Sequence, residues 1–539
     1  MSSRSLLVDR FASDNLPPSA QCPDLLVDAL NYPDRLNAAV EMVDRNLQEN
    51  AGRVAILAPG VIWTYAELAA QVNRIANVLT QQFGLVSGNR VLLRSANNPM
   101  MVAAYLAVLK AGGIAVATMP LLRTRELVAI IDKAQCRFAI TDHRLRAELE
   151  AARADVPVLA DIVAFGGTDA DDLDRLAAQA SDIFEPFDSA ADDVCLIAFT
   201  SGTTGIPKGT MHFHRDLLAI CDTYSAHLLR PTREDRFIGS PPLAFTFGLG
   251  GLVLFPFRVG ASTVLLEKAS PNDLLQGIAT FKATVVFTAP TAYRAMLANV
   301  GKYDISSLRR CISAGEALPH PTFEAWHKAT GLKITEGIGS TEMLHIFIGS
   351  TQENVRPGAT GLPVPGYEAK IIGPDGEEVP DGSVGRLAVR GPTGCRYLAD
   401  ERQRAYVLDG WNITGDIYLR DSDGYYHYQA RSDDMIVSAG YNIAGPEVEA
   451  TLLAHPAVRE CGVVGAPDPD RGAIVKAYVM LAEDYQPSGE LIRTLQDYVK
   501  AEISPYKYPR SIVFVSELPK TSTGKLQRSA LREMAARGS

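Results

Sequence analysis

Apolar residues recur along this chain in two rhythms, and the rhythms alternate. VAILA, Val54 to Ala58, is a short apolar run of strand length. Beyond it Thr64 and Glu67 have the spacing of a capping box, and Leu68, Val72, Ile75 and Leu79 then return at helical intervals. VLL from Val91 predicts a strand, Val102–Leu109 a helix, and IAVAT from Ile114 another strand. The most apolar stretch, Met100–Leu122, is broken by Lys110 and the pair Gly112–Gly113, which predicts a buried helix and a strand with no membrane span. VCLIAF, Val194–Phe199, predicts a buried strand that ends in a glycine-rich loop, with a new helix near Arg215. STVLLE, a helix from Pro271, TVVFTAP, a further helix and RRCISAG repeat the pattern. Short apolar strands separated by amphipathic helices predict parallel sheet covered on both faces.

The pattern changes in three places. Residues 1–25, with Pro17, Pro18 and Pro23, predict an irregular arm. From Gly361 to Tyr428, turns rich in Gly, Pro and Asp predict a β-rich section. From Glu447 to Leu531, helix and strand alternate on a smaller scale. The fold class read from this is α/β: a large N-terminal domain of αβ-layered sheets with a β-rich subdomain, then a small α+β C-terminal domain. The boundary is placed at Arg431, giving domains 1–431 and 432–539. No internal repeat or low-complexity segment is visible.

Composition narrows the classes of function. The hydrophobic content of 47% and charged content of 21% are those of an ordinary globular protein. A net charge of −10 argues against nucleic acid as the main partner, because phosphate backbones need a basic face. The seven cysteines are scattered singly without a C-x-x-C pair, which argues against a disulfide framework or a zinc site and for a reducing compartment. The N-terminal stretch has no apolar run of signal-peptide length, so a cytoplasmic location is expected, with no membrane.

Four stretches carry candidate chemistry. FTSGTTGIPKGT, Phe199 to Thr210, is dense in phosphate-binding groups. Its glycines, Gly202 among them, let backbone N–H groups converge on an anion. Thr200, Ser201, Thr203 and Thr204 add hydroxyls, and Lys208 adds a charge. The P-loop spacing G-x-x-x-x-G-K-[ST] is absent, since Pro207 precedes Lys208. A plain surface turn is the alternative. In EGIGSTEML, Gly337 and Gly339 permit close approach to a flat ligand, Thr341 offers a hydroxyl and Glu342 a carboxylate suited to Mg²⁺. The alternative there is a helix N-terminus capped by Ser340 or Thr341. Asp416 follows a Thr-Gly turn and could accept hydrogen bonds from a ribose diol, with Arg431 nearby, or both could be ordinary hairpin residues. PKTSTGKLQR, from Pro519, includes Lys525 and could be a solvated tail.

In this order the stretches closely resemble the adenylate-forming superfamily of acyl- and aryl-CoA synthetases, luciferases and peptide-synthetase adenylation domains. The resemblance covers nearly the whole chain beyond the arm. It implies two half-reactions. A carboxylate attacks the α-phosphorus of ATP to give an acyl-adenylate and pyrophosphate, and a thiol then displaces AMP. By the resemblance, Thr200 to Lys208 cradle the β- and γ-phosphates, Thr341 contacts the α-phosphate and Glu342 holds Mg²⁺. Gly315, Glu316 and Ala317 line the adenine pocket with Ile338 on the purine face, and Asp416 and Arg431 bind the ribose. Lys525 bridges the carboxylate and the α-phosphate. The resemblance also implies a mobile C-terminal domain turning about Asp433, with the Ser438–Asn442 loop and Gly440 making room for the pantetheine arm of CoA.

The acid pocket is read from PPLAFTFGLGG and MLHIF. Ala244, Phe245, Thr246 and Phe247 carry no charge, so an acid without an α-ammonium is favoured. Phe245, Phe247 and Ile346 suit a flat aromatic ring. GIGSTEMLHIF resembles benzoate-type CoA ligases, and AFTFGLGG is more similar to 2-aminobenzoate CoA ligases, where the Thr246 hydroxyl could meet an ortho amino group. His345 shapes the pocket. The expected acceptor is free CoA, because the chain ends soon after Lys525 with no carrier domain, and Lys507 and Arg510 could meet its phosphates. Two other readings stay open: an enzyme that loads a carrier protein, and a nucleotide-binding regulator without catalysis. A benzoate or hydroxybenzoate substrate is the alternative acid, and a homodimer is an open possibility.

Overall fold

The computed structural model describes residues 5–201, 207–432, 434–438, 441–468, 471–521 and 525–538, with the side chains of Ser201 and Asn442 left aside. Two large sheets form its centre. The first has six strands in the order Asp161–Phe165, Phe138–Asp142, Arg90–Arg94, Ile114–Thr118, Val194–Ser201 and Pro207–Phe213. All run parallel except the last, which pairs antiparallel with its neighbour. The second has nine strands, and its central run, from Ile334–Gly339 through Arg310–Ala314, Val285–Thr288, Arg236–Gly239 and Ser262–Val264 to Val54–Ala58, is parallel.

Burial follows the strand period of two. Val91 and Leu93 face a core shared by both sheets, while Leu92 between them faces a second core with Leu127, Ile131 and Leu149. In the other sheet Val285 and Phe287 face the shared core, and Val286 turns to a third core with Leu275, Ile278 and Trp326. Helices therefore cover both faces of both sheets, as the apolar runs predict. Helices Tyr65–Asn77 and Pro99–Lys110 fill the shared layer, and Thr64 and Glu67 form the predicted capping box at the start of the first.

One strand departs from the sequence reading. The glycine-rich loop does not lead straight to a helix: Pro207–Phe213 returns as a strand first, and the helix opens at His214. The stretch from Glu336 likewise corrects the helix alternative. It is the end of strand Ile334–Gly339, followed by a turn and the strand Ile346–Gly349. The N-terminal arm is tied down at both ends. Asp9 pairs with the buried Arg90 at 2.5 Å, and the N–H of Leu26 donates to Gly391 at 2.9 Å.

The β-rich section is an antiparallel five-stranded sheet of Glu368–Ile372, Val384–Arg390, Val407–Leu408, Trp411–Arg420 and Tyr426–Arg431. Beyond it, a hairpin (Ile436–Ser438 and Tyr441–Ile443) and a three-stranded sheet (Val458–Asp468, Gly472–Leu481, Ser511–Phe514) carry helices and cores of their own. Val463 and Val479 face one of those cores, Val464 and Tyr478 the other. Among the described residues no helix is long and apolar enough to cross a membrane, and the seven cysteines are free.

Candidate active site

The parallel strands of the nine-stranded sheet all end on one side, and three of the candidate segments leave from those ends. Gly315 follows Arg310–Ala314, Thr341 follows Ile334–Gly339, and Pro241–Phe247 follows Arg236–Gly239. Carboxyl ends of parallel strands are where open α/β sheets bind ligands, because loops there converge without blocking the sheet.

Lys208 and Glu342 come together through a residue not singled out from the sequence. The Tyr397 hydroxyl donates to Glu342 Oε1 at 2.5 Å and accepts from Lys208 Nζ at 3.2 Å, with Nζ 5.1 Å from the ring centroid. Burial, reinforced by the Glu342 charge, raises the Tyr397 phenol far above its usual range, so it stays a donor. Thr341 is held from another direction. Its carbonyl accepts from His212 Nε2 at 2.8 Å, while His212 Nδ1 lies 3.7 Å from Asp216. Asp216 is completely buried and accepts from Arg396 at 2.8 Å. Burial works to raise the Asp216 carboxyl, but Arg396 and His212 outweigh it and hold it below the carboxylate range.

Lys525 comes from the small C-terminal domain and reaches the large one. A Cβ placed on Gly315, whose φ is +91°, would lie 2.8 Å from Lys525 Nζ. Burial lowers the Lys525 ammonium, and the Glu316 carboxylate opposes that shift. Glu316 is raised by burial, with Lys525 and Arg528 pulling the other way. Ala317, next along, is exposed. Glu336, to which the sequence reading gave no role, accepts the Leu318 N–H at 2.8 Å and so fixes the segment after Gly315 to the neighbouring strand. Burial pushes its carboxyl up to about 8.

Asp416 and Arg431 are register partners on adjacent antiparallel strands and pair at 3.2 Å. Burial raises Asp416, and Arg431 opposes it. Gly337 and Gly339 are required by close packing: a Cβ would meet Ile346 Cγ2 at 2.6 Å at the first and the His345 carbonyl at 2.6 Å at the second. Ile338 between them is half-buried against the shared core.

The segment Pro241–Phe247 is held by Asn97, which donates to the Pro241 carbonyl at 2.9 Å and accepts from Leu243 N–H at 2.8 Å. Ala244, Phe245 and Phe247 are half-buried and Thr246 is buried, with no hydrogen-bond partner for its hydroxyl among the described residues. Phe247 lies 5.5 Å from Phe287 and 5.6 Å from His345. His345 is ringed by aromatics, Phe255 at 4.6 Å and Tyr224 at 5.3 Å, and burial drives its imidazole down to about 3, so it is neutral. Gly250 makes room for it, since a Cβ there would strike His345 Cδ2 at 2.4 Å. Ile346 is 1% exposed and packs under Gly337.

Lys507 Nζ pairs with Glu447 at 2.7 Å, and Arg510 donates to the Tyr508 hydroxyl at 3.0 Å. Gly202, Thr203, Thr204, Asp433 and Gly440 lie outside the described residues, as does the Ser201 side chain. The Tyr397 and Asp216–Arg396 links join residues remote in sequence, and no local spacing could have pointed to them.

Residues 43–397 match the AMP-binding enzyme family, and residues 447–525 match the AMP-binding enzyme C-terminal domain. The chain is 37% identical over 512 residues to the benzoate–CoA ligase of Thauera aromatica, covering 94% of this chain and 97% of that one. It is 33% identical over 513 residues to a 4-hydroxybenzoate–CoA/benzoate–CoA ligase of Rhodopseudomonas palustris, covering 93% and 95%. The crystal structure of the anthranilate CoA ligase AuaEII in complex with anthranoyl-AMP matches with a TM-score of 0.91 at 37% identity, over 95% of this chain and 99% of that one. The chain belongs to the AMP-binding enzyme family, within the benzoate–CoA ligase group of the adenylate-forming superfamily. It has the large N-terminal and small C-terminal domain of those enzymes.

Proposed function

We propose that this enzyme is an AMP-forming aryl-CoA ligase whose acid is 2-aminobenzoate. ATP and the acid give an aryl-adenylate and pyrophosphate, and the thiol of CoA then displaces AMP. The observation that carries the choice of acid is the uncharged wall of Ala244, Phe245, Thr246 and Phe247 beside a neutral, aromatic-ringed His345. Such a wall suits a flat ring and offers no carboxylate to an α-ammonium. Thr246 adds a hydroxyl without a described partner, and an ortho amino group would supply one. The solved complex of AuaEII with anthranoyl-AMP, 37% identical to this chain, supports the same reading.

In this proposal the two domains are residues 1–431 and 432–539, and the second delivers Lys525 against Gly315. The first half-reaction brings two anions together, so charge must be neutralised and geometry held. Lys525 would bridge the attacking carboxylate and the α-phosphate. Thr341 would contact that phosphate, Lys208 and its loop the outer phosphates, and Asp416 with Arg431 the ribose. Glu342 fits a hard cation: Tyr397 donates to Oε1, and among the described residues nothing donates to Oε2. Mg²⁺ held there would offset the charge of the phosphates. The soluble acceptor proposed is free CoA, with the Lys507–Glu447 pair opening or shifting if Lys507 is to meet a CoA phosphate.

Thioester formation from ATP and CoA, measured across 2-aminobenzoate, benzoate, 2-hydroxybenzoate, 4-hydroxybenzoate and acetate, tests this. A preference for 2-aminobenzoate is expected, and Thr246→Ala should narrow it against benzoate by roughly 10-fold, the worth of about one hydrogen bond. A preference for benzoate would discard the choice of acid, and an unchanged preference in Thr246→Ala would discard the role given to Thr246. Adenylate without thioester would make a carrier protein the acceptor.

A further inference from the structure

We propose that Tyr397 is a positioning residue for adenylation, its hydroxyl fixing the Glu342 carboxylate and the Lys208 ammonium relative to each other. The inference rests on the function proposed above and adds a residue to it. Lys208 lies on the strand that closes the six-stranded sheet, and Glu342 follows a strand of the nine-stranded sheet. These two groups have opposite charge and belong to different sheets. Between them stands one phenol, 1% exposed, donating a hydrogen bond to Glu342 at 2.5 Å and accepting one from Lys208 at 3.2 Å.

Tyr397 is itself built in. Its N–H donates to Gln403 Oε1 at 2.8 Å, the flanking Leu398 N–H donates to the Gly209 carbonyl at 2.8 Å, and its ring meets Tyr406 edge-on at 5.7 Å. The neighbouring residue turns the other way: Arg396 reaches Asp216, Asp216 faces His212, and His212 holds the Thr341 carbonyl. Two consecutive residues of one extended segment thus reach the two consecutive residues Thr341 and Glu342 by separate routes. Without the phenol, Lys208 and Glu342 would be free to pair directly, which would cost the carboxylate its place for a cation and the lysine its place for a phosphate.

The test uses the full-length enzyme and Tyr397→Phe, which keeps the ring and removes only the hydroxyl. Calorimetry would measure binding of a non-hydrolysable ATP analogue with and without Mg²⁺, and of AMP. Loss of a hydrogen bond to a charged group predicts Mg²⁺–nucleotide binding weaker by roughly 10-fold or more, with AMP binding unchanged and the variant still folded. Glu342→Gln combined with Tyr397→Phe should cost little more than Glu342→Gln alone, since the hydroxyl acts through that carboxylate. Equal weakening of AMP and Mg²⁺–nucleotide binding, additive effects in the double variant, or loss of the fold in Tyr397→Phe would each overturn the inference. A wild-type enzyme that forms no adenylate overturns the proposed function instead. An active wild type with an indistinguishable Tyr397→Phe variant overturns this inference alone.

Discussion

If Lys525 has the role proposed for it, replacing it by alanine should separate the two half-reactions. The ammonium sits 2.8 Å from where a Gly315 Cβ would be, at the junction of the two domains, and burial plus the Glu316 carboxylate mark a partly desolvated cationic site. A preorganised donor aimed at developing charge in such a site is worth about 2.7–4 kcal/mol, a loss of roughly 10²- to 10³-fold in rate when it is removed. That loss should fall on adenylation, where carboxylate and phosphate must approach. The thiol step, started from a synthetic aryl-adenylate and CoA, needs no bridging of two anions and should stay within a few-fold. Pyrophosphate exchange reads the first step and thioester formation from supplied adenylate the second. Equal losses in both, or exchange at the wild-type rate, would refute the role of Lys525 and the reasoning that led to it. Gly315→Ala attacks the same contact from the other side. Its Cβ displaces Nζ, and a non-glycine residue at φ +91° costs about 1–2 kcal/mol of strain, so adenylation should again fall more than the thiol step.

Three further outcomes follow from the geometry. Asp216→Ala leaves Arg396 buried and unpaired, so chemical denaturation should show a loss of about 3–5 kcal/mol, far more than a surface pair would give. Glu336 binds its proton more tightly folded than unfolded, so the stability it contributes is present below 4.5 and is lost as the pH rises toward about 8. Glu336→Gln cannot ionise, and its denaturation midpoint should therefore fall less than that of the wild type across that window. Gly250→Ala forces a Cβ within 2.4 Å of His345 Cδ2, and overpacking of about 1–3 kcal/mol should appear as a raised KM for the acid with that for ATP little changed.

Local order in this protein was readable from the chain itself. The strand at Val91, the Thr64–Glu67 capping box and the helix from Pro271 all depend on neighbours a few residues apart, and periodicity records such neighbours directly. The strand Pro207–Phe213 was not readable, because its proline, glycine and histidine mask the period and its pairing with Val194–Ser201 supplies the order. The motifs marked Lys208, Glu342, Asp416 and Lys525 as candidates by residue type and order. What they touch was decided in three dimensions. Tyr397 stands 189 residues from Lys208 and 55 from Glu342, and Arg396 stands 180 from Asp216. Lys525 meets Gly315 only because one domain docks on another. Contacts of that kind depend on which strands become neighbours and where their ends converge, a property of the assembled sheets that no short window of sequence contains.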